Sequence, residues 1–322
     1  MLDKYKAVIW GLAIGDALGA PTEFKGLDRI RECYGPDGIQ HVNQTDGRFT
    51  DDTQMTVALA EGLLDAAADC NKAELDHEGP MIDPDFVMPH VAKQFVEWAF
   101  GPDNDRAPGN TCMAGCRALR QGKPWTESGV KTSKGCGSAM RSSPVGLIYS
   151  GQQLEDIARA SSVVTHGHQA AVDAAHAAAL AVRLLLDGMD PVEMAGEVFK
   201  QCAQDEHFSF LLSSVLPLVG ATDRGEIEPE VAQTRAHLGE SWTGDEAVAS
   251  ALYCFLLAVK RGEGYVETVR YGANTSGDSD SIAAIAGSLA GARWGIGGER
   301  GIPLSWIKHV EDSAELGLLA QR

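Results

Sequence analysis

Apolar side chains recur at helical spacing along nearly the whole chain, and alternation with period two is almost absent. That pattern predicts an all-α fold. Helices are expected over residues 3–19, 52–69, 85–99, 110–121, 153–164, 169–187, 191–204, 209–219, 228–238, 244–261, 264–272, 279–295 and 303–319. Asp, Asn, Ser, Pro or Gly stands at their starts, as capping requires. The segment 170–186, AAVDAAHAAALAVRLLL, is apolar nearly all round and belongs at the centre of the molecule. Two stretches rich in Asp, Gly and Pro, 69–84 and 100–108, read as surface loops or insertions. No low-complexity tract or internal repeat divides the helical blocks. One compact domain over residues 1–322 is expected.

Charge narrows the partners. The 322 residues carry 27 Lys+Arg against 45 Asp+Glu, a net charge of −18. Nucleic acid and anionic membranes are held by basic faces, and no stretch here gathers one, so neither is an expected partner. The seven cysteines are scattered and form no disulfide framework, which suits a reduced, cytoplasmic setting. Lys4 and Lys6 ahead of Ala7–Ile14 imitate a signal peptide, but the apolar run is short and Asp16 follows it, so a buried helix is expected. No stretch is read as a bilayer span.

The candidate chemistry lies in two acidic turns at helix starts. Phe49-Thr50-Asp51-Asp52-Thr53 opens the helix that ends near Asp69, and there Thr50 could simply be an N-cap and the carboxylates dipole partners. Asn274-Thr275-Ser276-Gly277-Asp278-Ser279-Asp280-Ser281 opens a Gly- and Ala-rich helix, where a cap and polar turn is again the simplest account. Caps do not explain why both turns lead into helices of small residues, which can approach each other closely. Converging, four carboxylates and two hydroxyls would repel one another without a cation. An all-oxygen donor set suits Mg²⁺, Mn²⁺ or Ca²⁺ rather than zinc, and the surplus of carboxylates suggests two ions.

Four further features stand around these turns. Gly11, Gly15 and Gly19 form a smooth helical stripe for close packing. Asp16 could be a structural hydrogen-bonding acid, and Glu23, past a Pro-containing turn, either surface or aimed into the site. Gly109-Asn110-Thr111 and Lys134-Gly135-Cys136-Gly137-Ser138-Ala139-Met140-Arg141 are glycine turns that could offer backbone N–H groups to phosphate. Thr165-His166-Gly167-His168 holds two histidines without a partner spacing for zinc, so they read as hydrogen-bonding or substrate-positioning groups.

Taken in order, GLAIGDALGAPTEF, FTDDTQMT, GNTC, KGCGSAMRSSPVG, THGH and NTSGDSDSIAAIAG resemble the ADP-ribosylglycohydrolase family, over about residues 5 to 295. The resemblance implies an all-α fold with two Mg²⁺ or Mn²⁺ ions at the floor of an ADP-ribose cleft. The family's metal ligands fall on Thr50, Asp51, Asp52, Asp278, Asp280 and Ser281, the last commonly Thr in the family. Its mobile acidic residue matches Glu23, which with Asp52 and Asp278 would carry the catalysis. Its substrate loops match Gly109, Asn110 and Thr111, and Gly135, Cys136, Gly137, Ser138, Met140 and Arg141; His166 and His168 match its histidine segment. Some members carry an acid two positions before the glycine of the GNT-like turn. This chain has Ala107 there, so no mechanism relying on that carboxylate carries over.

The activity this implies is hydrolysis of ADP-ribose from an ADP-ribosylated protein, with ADP-ribose as product. The Thr-Asp-Asp-Thr-Gln-Met string resembles the arginine-directed members, which implies an N-glycosidic bond. Hydrolysis of an O-linked ADP-ribose, on serine or in O-acetyl-ADP-ribose, is the alternative. A relative without catalysis, or an immunity protein that blocks an ADP-ribosyltransferase toxin, is an alternative of another class, against which the retention of all six ligand positions argues.

Overall fold

A computed structural model of the chain describes residues 2–72 and 83–322. Its helices are α1 (Leu2–Gly19), α2 (Leu27–Tyr34), α3 (Asp51–Lys72), α4 (Pro84–Phe100), α5 (Asn110–Arg120), α6 (Trp125–Ser128), α7 (Ser143–Ile148), α8 (Gly151–Val163) and α9 (Gln169–Leu186). The second half adds α10 (Pro191–Cys202), α11 (Glu206–Asp223), α12 (Pro229–Ala232), α13 (Gly244–Arg261), α14 (Tyr265–Ala273), α15 (Ser279–Trp294), α16 (Leu304–His309) and α17 (Ser313–Leu319). Among the described residues extended pairing is limited to three isolated bridges, so the fold is all-α as the periodicity predicts.

The centre is built from small side chains. Helix α9 is buried on almost every face, from Ala170 to Leu185. It is the one described helix long and apolar enough to cross a membrane by length and composition, which the sequence reading did not credit, and 78% of that window is buried inside the fold. Helices α1 and α15 run antiparallel in near backbone contact. A Cβ on Gly11 would stand 2.4 Å from the Gly287 carbonyl oxygen, one on Gly15 2.1 Å from that of Ala283, and one on Gly19 2.5 Å from the Cα of Asp280. The approach is reciprocal, since a Cβ on Gly291 would lie 2.1 Å from the Ala7 carbonyl oxygen. Only glycine permits this spacing. It carries the start of α15 to the end of α1.

Two predicted helices are corrected. The span 228–238 is helical only over Pro229–Ala232. The buried Gln233 side chain donates to the carbonyls of Pro229 and Tyr271, and its own carbonyl accepts from the Thr275 hydroxyl instead of a helical N–H. The span 303–319 splits in two because Asp312 adopts a left-handed conformation, φ 49°. The break frees Glu311, whose carboxylate accepts from the Phe49 N–H and pairs with Arg106. Helices α2, α6 and α7 were not anticipated. Of the predicted loop 69–84, residues 69–72 belong to α3 and residues 73–82 lie outside the described residues.

Candidate functional site

Asp16 sets the first acidic turn. Its Oδ1 accepts the Thr50 N–H at 2.9 Å, and its Oδ2 accepts the Thr53 N–H at 3.0 Å and the Thr53 hydroxyl at 2.6 Å. A carboxylate from α1 therefore caps α3, and Thr50 is left with a single longer acceptance from the Asp52 N–H at 3.3 Å. Asp51 and Asp52 are thereby freed from capping. Asp51 Oδ2 accepts the Gly109 N–H at 3.1 Å, which ties the turn to the start of α5.

The second turn is also not a cap. Asp278 precedes α15 without making a side-chain capping bond. Asp280 Oδ1 accepts the N–H of the adjacent Ser281 at 3.0 Å. One oxygen each from Glu23, Asp278 and Asp280 lie within 4.8 Å of one another. The small-residue contact of α1 with α15 makes this convergence possible.

These groups share one cleft of about 420 Å³. Of the residues singled out in the sequence, Glu23, Asp51, Asp52, Gly109, Asn110, Thr111, Gly135, Cys136, Gly137, Met140, His166, Asp278, Asp280 and Ser281 line it. Thr50 lines the adjoining cavity, which also reaches Glu23. Ser138, Arg141 and His168 are not brought to the cleft. Ser138 donates to the Ala171 carbonyl, and His168 Nδ1 accepts the Ala170 N–H as N-cap of α9. Arg141 is fully buried, lies 4.4 Å over the Phe95 ring, and donates to the carbonyls of Gly137 and Ser161 and to the Thr165 hydroxyl. It holds the glycine turn from behind, a role that a linear motif does not reveal.

Arg141 also fixes His166. The guanidinium can only donate, so it bonds Thr165 Oγ1 at 2.7 Å, and Thr165 Oγ1 shares a hydrogen bond with His166 Nδ1 at 2.8 Å. His166 Nε2 lies beside Gly135 and Gly137 in the cleft wall. Burial, and then the Arg141 charge, push its pKa down to about 3, so the ring is neutral.

Five wall residues were not picked out in the sequence as site groups: Phe24, Ala107, Pro108, Cys112 and Trp242. Phe24, with φ 60°, stacks on Trp242 at 5.2 Å between ring centroids. Cys136 was expected to act through its backbone, yet its thiol donates to Asp278 Oδ2 at 2.8 Å. Burial and then the charge of Asp278 raise that thiol far above its ordinary range, so it stays protonated and adds no soft ligand. No sequence spacing links residue 136 to 278.

Electrostatics decide what the cluster needs. Burial first, then the carboxylates of Asp280, Asp278, Asp51 and Asp16, push Glu23 up to about 10. Burial raises Asp51 to about 8, with the Gly109 N–H opposing and Asp280 and Asp16 adding to the rise. Burial and neighbouring carboxylates also lift Asp52 and Asp278 well above the carboxylate range. Asp52 Oδ2 is buried without any hydrogen-bond partner. An orphaned carboxyl oxygen amid four other carboxyl groups fits a hard divalent cation, which would supply the missing partner and let the cluster ionise.

The comparisons with known proteins follow the same lines. A model described as ADP-ribosylglycohydrolase matches residues 1–322. The chain belongs to the ADP-ribosylglycohydrolase family. It is similar to the ADP-ribosylarginine hydrolase Tri1 of Pseudomonas putida, 26% identical with 99% of this chain and 77% of that protein covered. It is equally similar to the human ADP-ribosylhydrolase ARH3, 27% identical over 99% of this chain and 92% of the relative. A solved structure titled ADP-ribosylglycohydrolase-related protein complex superposes with a TM-score of 0.69 at 25% identity, covering 99% of this chain and 96% of that one. ADP-ribosylglycohydrolases are generally metal-dependent, and the family supports ADP-ribosyl hydrolysis with ADP-ribose as product. Nothing in the relatives supports the toxin partner considered from the sequence.

Proposed function

We propose that this protein hydrolyses the N-glycosidic bond between ADP-ribose and a protein arginine in the cytoplasm, with two Mg²⁺ or Mn²⁺ ions. One observation carries the choice of linkage. The cleft is lined by five carboxylates, Glu23, Asp51, Asp52, Asp278 and Asp280, and two exposed aromatics, Phe24 and Trp242, with no Lys or Arg among its described lining residues. An aromatic mouth free of Lys and Arg favours a cationic guanidinium over a neutral serine O-glycoside.

Thr50, Asp51, Asp52, Asp278, Asp280 and Ser281 would hold the ions. Cations held there would supply electrophilic stabilisation at the distal ribose. The chain's own groups do the rest. With no basic side chain on the wall, the pyrophosphate falls to the backbone N–H groups of Asn110, Thr111 and Gly137, since those of Gly109, Gly135 and Cys136 already donate to Asp51, Ser133 and the Trp242 carbonyl. Glu23 in its protonated form can deliver a proton to the departing guanidine as positive charge builds at C1″, and in its ionised form can orient the attacking water. Asp52 and Asp278 hold the negative field against that charge.

The test is release of ADP-ribose from arginine-modified and serine-modified peptides, each with Mg²⁺, Mn²⁺ or EDTA. Metal-dependent release from the arginine peptide is expected. Release from the serine peptide alone overturns the linkage, and release from neither overturns the hydrolase reading.

A further inference from the structure

Residues 239–243 touch three walls of the cleft at once. The Glu240 carbonyl accepts the Asp278 N–H at 2.9 Å, so this segment holds the second acidic turn. The approach is close enough that a Cβ on Gly277 would stand 2.0 Å from the Glu240 carbonyl oxygen. The Trp242 carbonyl accepts the Cys136 N–H at 3.3 Å, and the Lys134 carbonyl accepts the Gly244 N–H at 2.7 Å, so the same segment holds the glycine turn. The Trp242 ring lies on Phe24, the neighbour of Glu23.

Between these two carbonyls sits Ser241, buried and at φ 65°. A side-chain-bearing residue keeps that left-handed conformation only where its surroundings impose it. Two contacts do so: the Ser241 N–H donates to Glu246 Oε2 at 3.0 Å, and its hydroxyl donates to Ser250 at 3.1 Å. The Glu246 carboxylate fills the space beside Gly239, where a Cβ would lie 2.2 Å from its carboxyl carbon. Glu246 does not line the cleft, yet it fixes the kink that aims the carbonyls of residues 240 and 242 in their two directions.

We infer that Glu246 and Ser241 are positioning residues, which act through the 240–242 backbone to hold Asp278, the glycine turn and the Glu23 turn in mutual register. The inference rests on the reading of the cleft as a metal and ADP-ribose site. Its test therefore uses binding as well as turnover. Glu246→Ala, Glu246→Gln and Ser241→Gly would be compared with the parent for Mn²⁺ and ADP-ribose affinity by calorimetry, for kcat and KM, and for melting temperature.

Glu246→Ala is expected to weaken both Mn²⁺ and ADP-ribose binding and to lower kcat/KM by about ten- to a hundredfold, the scale of an ångström of misplacement. Glu246→Gln keeps an acceptor for the Ser241 N–H and recovers most of the loss, which a generic packing role would not require. Ser241→Gly tolerates the left-handed φ but drops the Ser250 contact. It is expected to melt close to the parent with both affinities reduced, and it carries the test if Glu246→Ala fails to fold. Parent-like Mn²⁺ and ADP-ribose affinities in Ser241→Gly, or in a folded Glu246→Ala, overturn the proposal. A parent that binds both ligands but releases no ADP-ribose from either peptide overturns the hydrolase reading alone, and the variants' affinities still decide this one.

Discussion

The carbonyl oxygen of Ala283 lies 2.1 Å from the point where a Cβ on Gly15 would stand. No side chain fits there, and α1 can shift from α15 only by moving the Asp280 end of one against the Glu23 end of the other. Gly15→Ala is expected to destabilise the fold by about 1–3 kcal/mol, the usual cost of overpacking. It should weaken Mn²⁺ binding in the same protein. Denaturant melts and calorimetry on the purified variant check both, and a parent-like result in each would show that the contact does not set the site.

Asp52 separates metal binding from folding. Its buried, unpartnered Oδ2 works against the metal-free protein. Asp52→Asn is expected to melt higher than the parent in EDTA and to gain less from added Mn²⁺, because a ligand that binds only the folded state stabilises in proportion to its affinity. Paired melts with and without Mn²⁺ read this directly. Equal metal-induced shifts in the two proteins would remove Asp52 from the ligand set.

The raised carboxylates give a pH dependence with a definite sign. Asp16 is pushed to about 7, Asp51 to about 8 and Glu23 to about 10, from ordinary values of 3.8, 3.8 and 4.5. The folded, metal-free chain therefore holds more protons than the unfolded one across that window. The stabilisation is complete below the ordinary values and is lost as pH rises through the raised ones. In EDTA the melting temperature should fall between about pH 5 and about pH 9. With saturating Mn²⁺ the fall should shrink or reverse, because the cation competes with those protons. A flat profile in EDTA would count against the cluster.

Arg141 should behave as a structural residue. Its three donated hydrogen bonds and the Phe95 stack need a planar fork, which lysine lacks. Arg141→Lys is expected to cost about 2–4 kcal/mol, because it leaves buried acceptors without their donors. The loss should appear in a melt before it appears in KM. A raised KM with unchanged stability would restore the substrate contact that its place in the KGCGSAMR string suggested.

Much of the site was legible because its chemistry is concentrated in short strings. Thr50-Asp51-Asp52 and Asp278-Ser279-Asp280-Ser281 declare an unusual density of oxygen donors at helix starts, and the glycines of α1 declare a close contact without naming its partner. What sequence could not show is which long-range pairs form. That Asp16 caps α3, that the Cys136 thiol meets Asp278, and that Trp242 covers Phe24 all depend on chain reversals between distant segments. The helix predicted over 228–238 failed for the same reason, since the contacts of Gln233 to Tyr271 and Thr275 outweigh local propensity. Arg141 was misplaced because a motif gives no direction for a side chain.

The antiparallel contact of α1 with α15 also sets an order of assembly. Thr50 to Asp52 leave the ribosome long before Asp278 to Ser281. At roughly 5–20 residues per second, the intervening stretch of about 230 residues takes on the order of ten to fifty seconds to make. Through that interval α1 has no groove for its glycines and the first acidic turn has no counterpart, so a growing chain exposes half a binding site. The carboxylate cluster is thus completed only late in synthesis, when α15 closes the bundle.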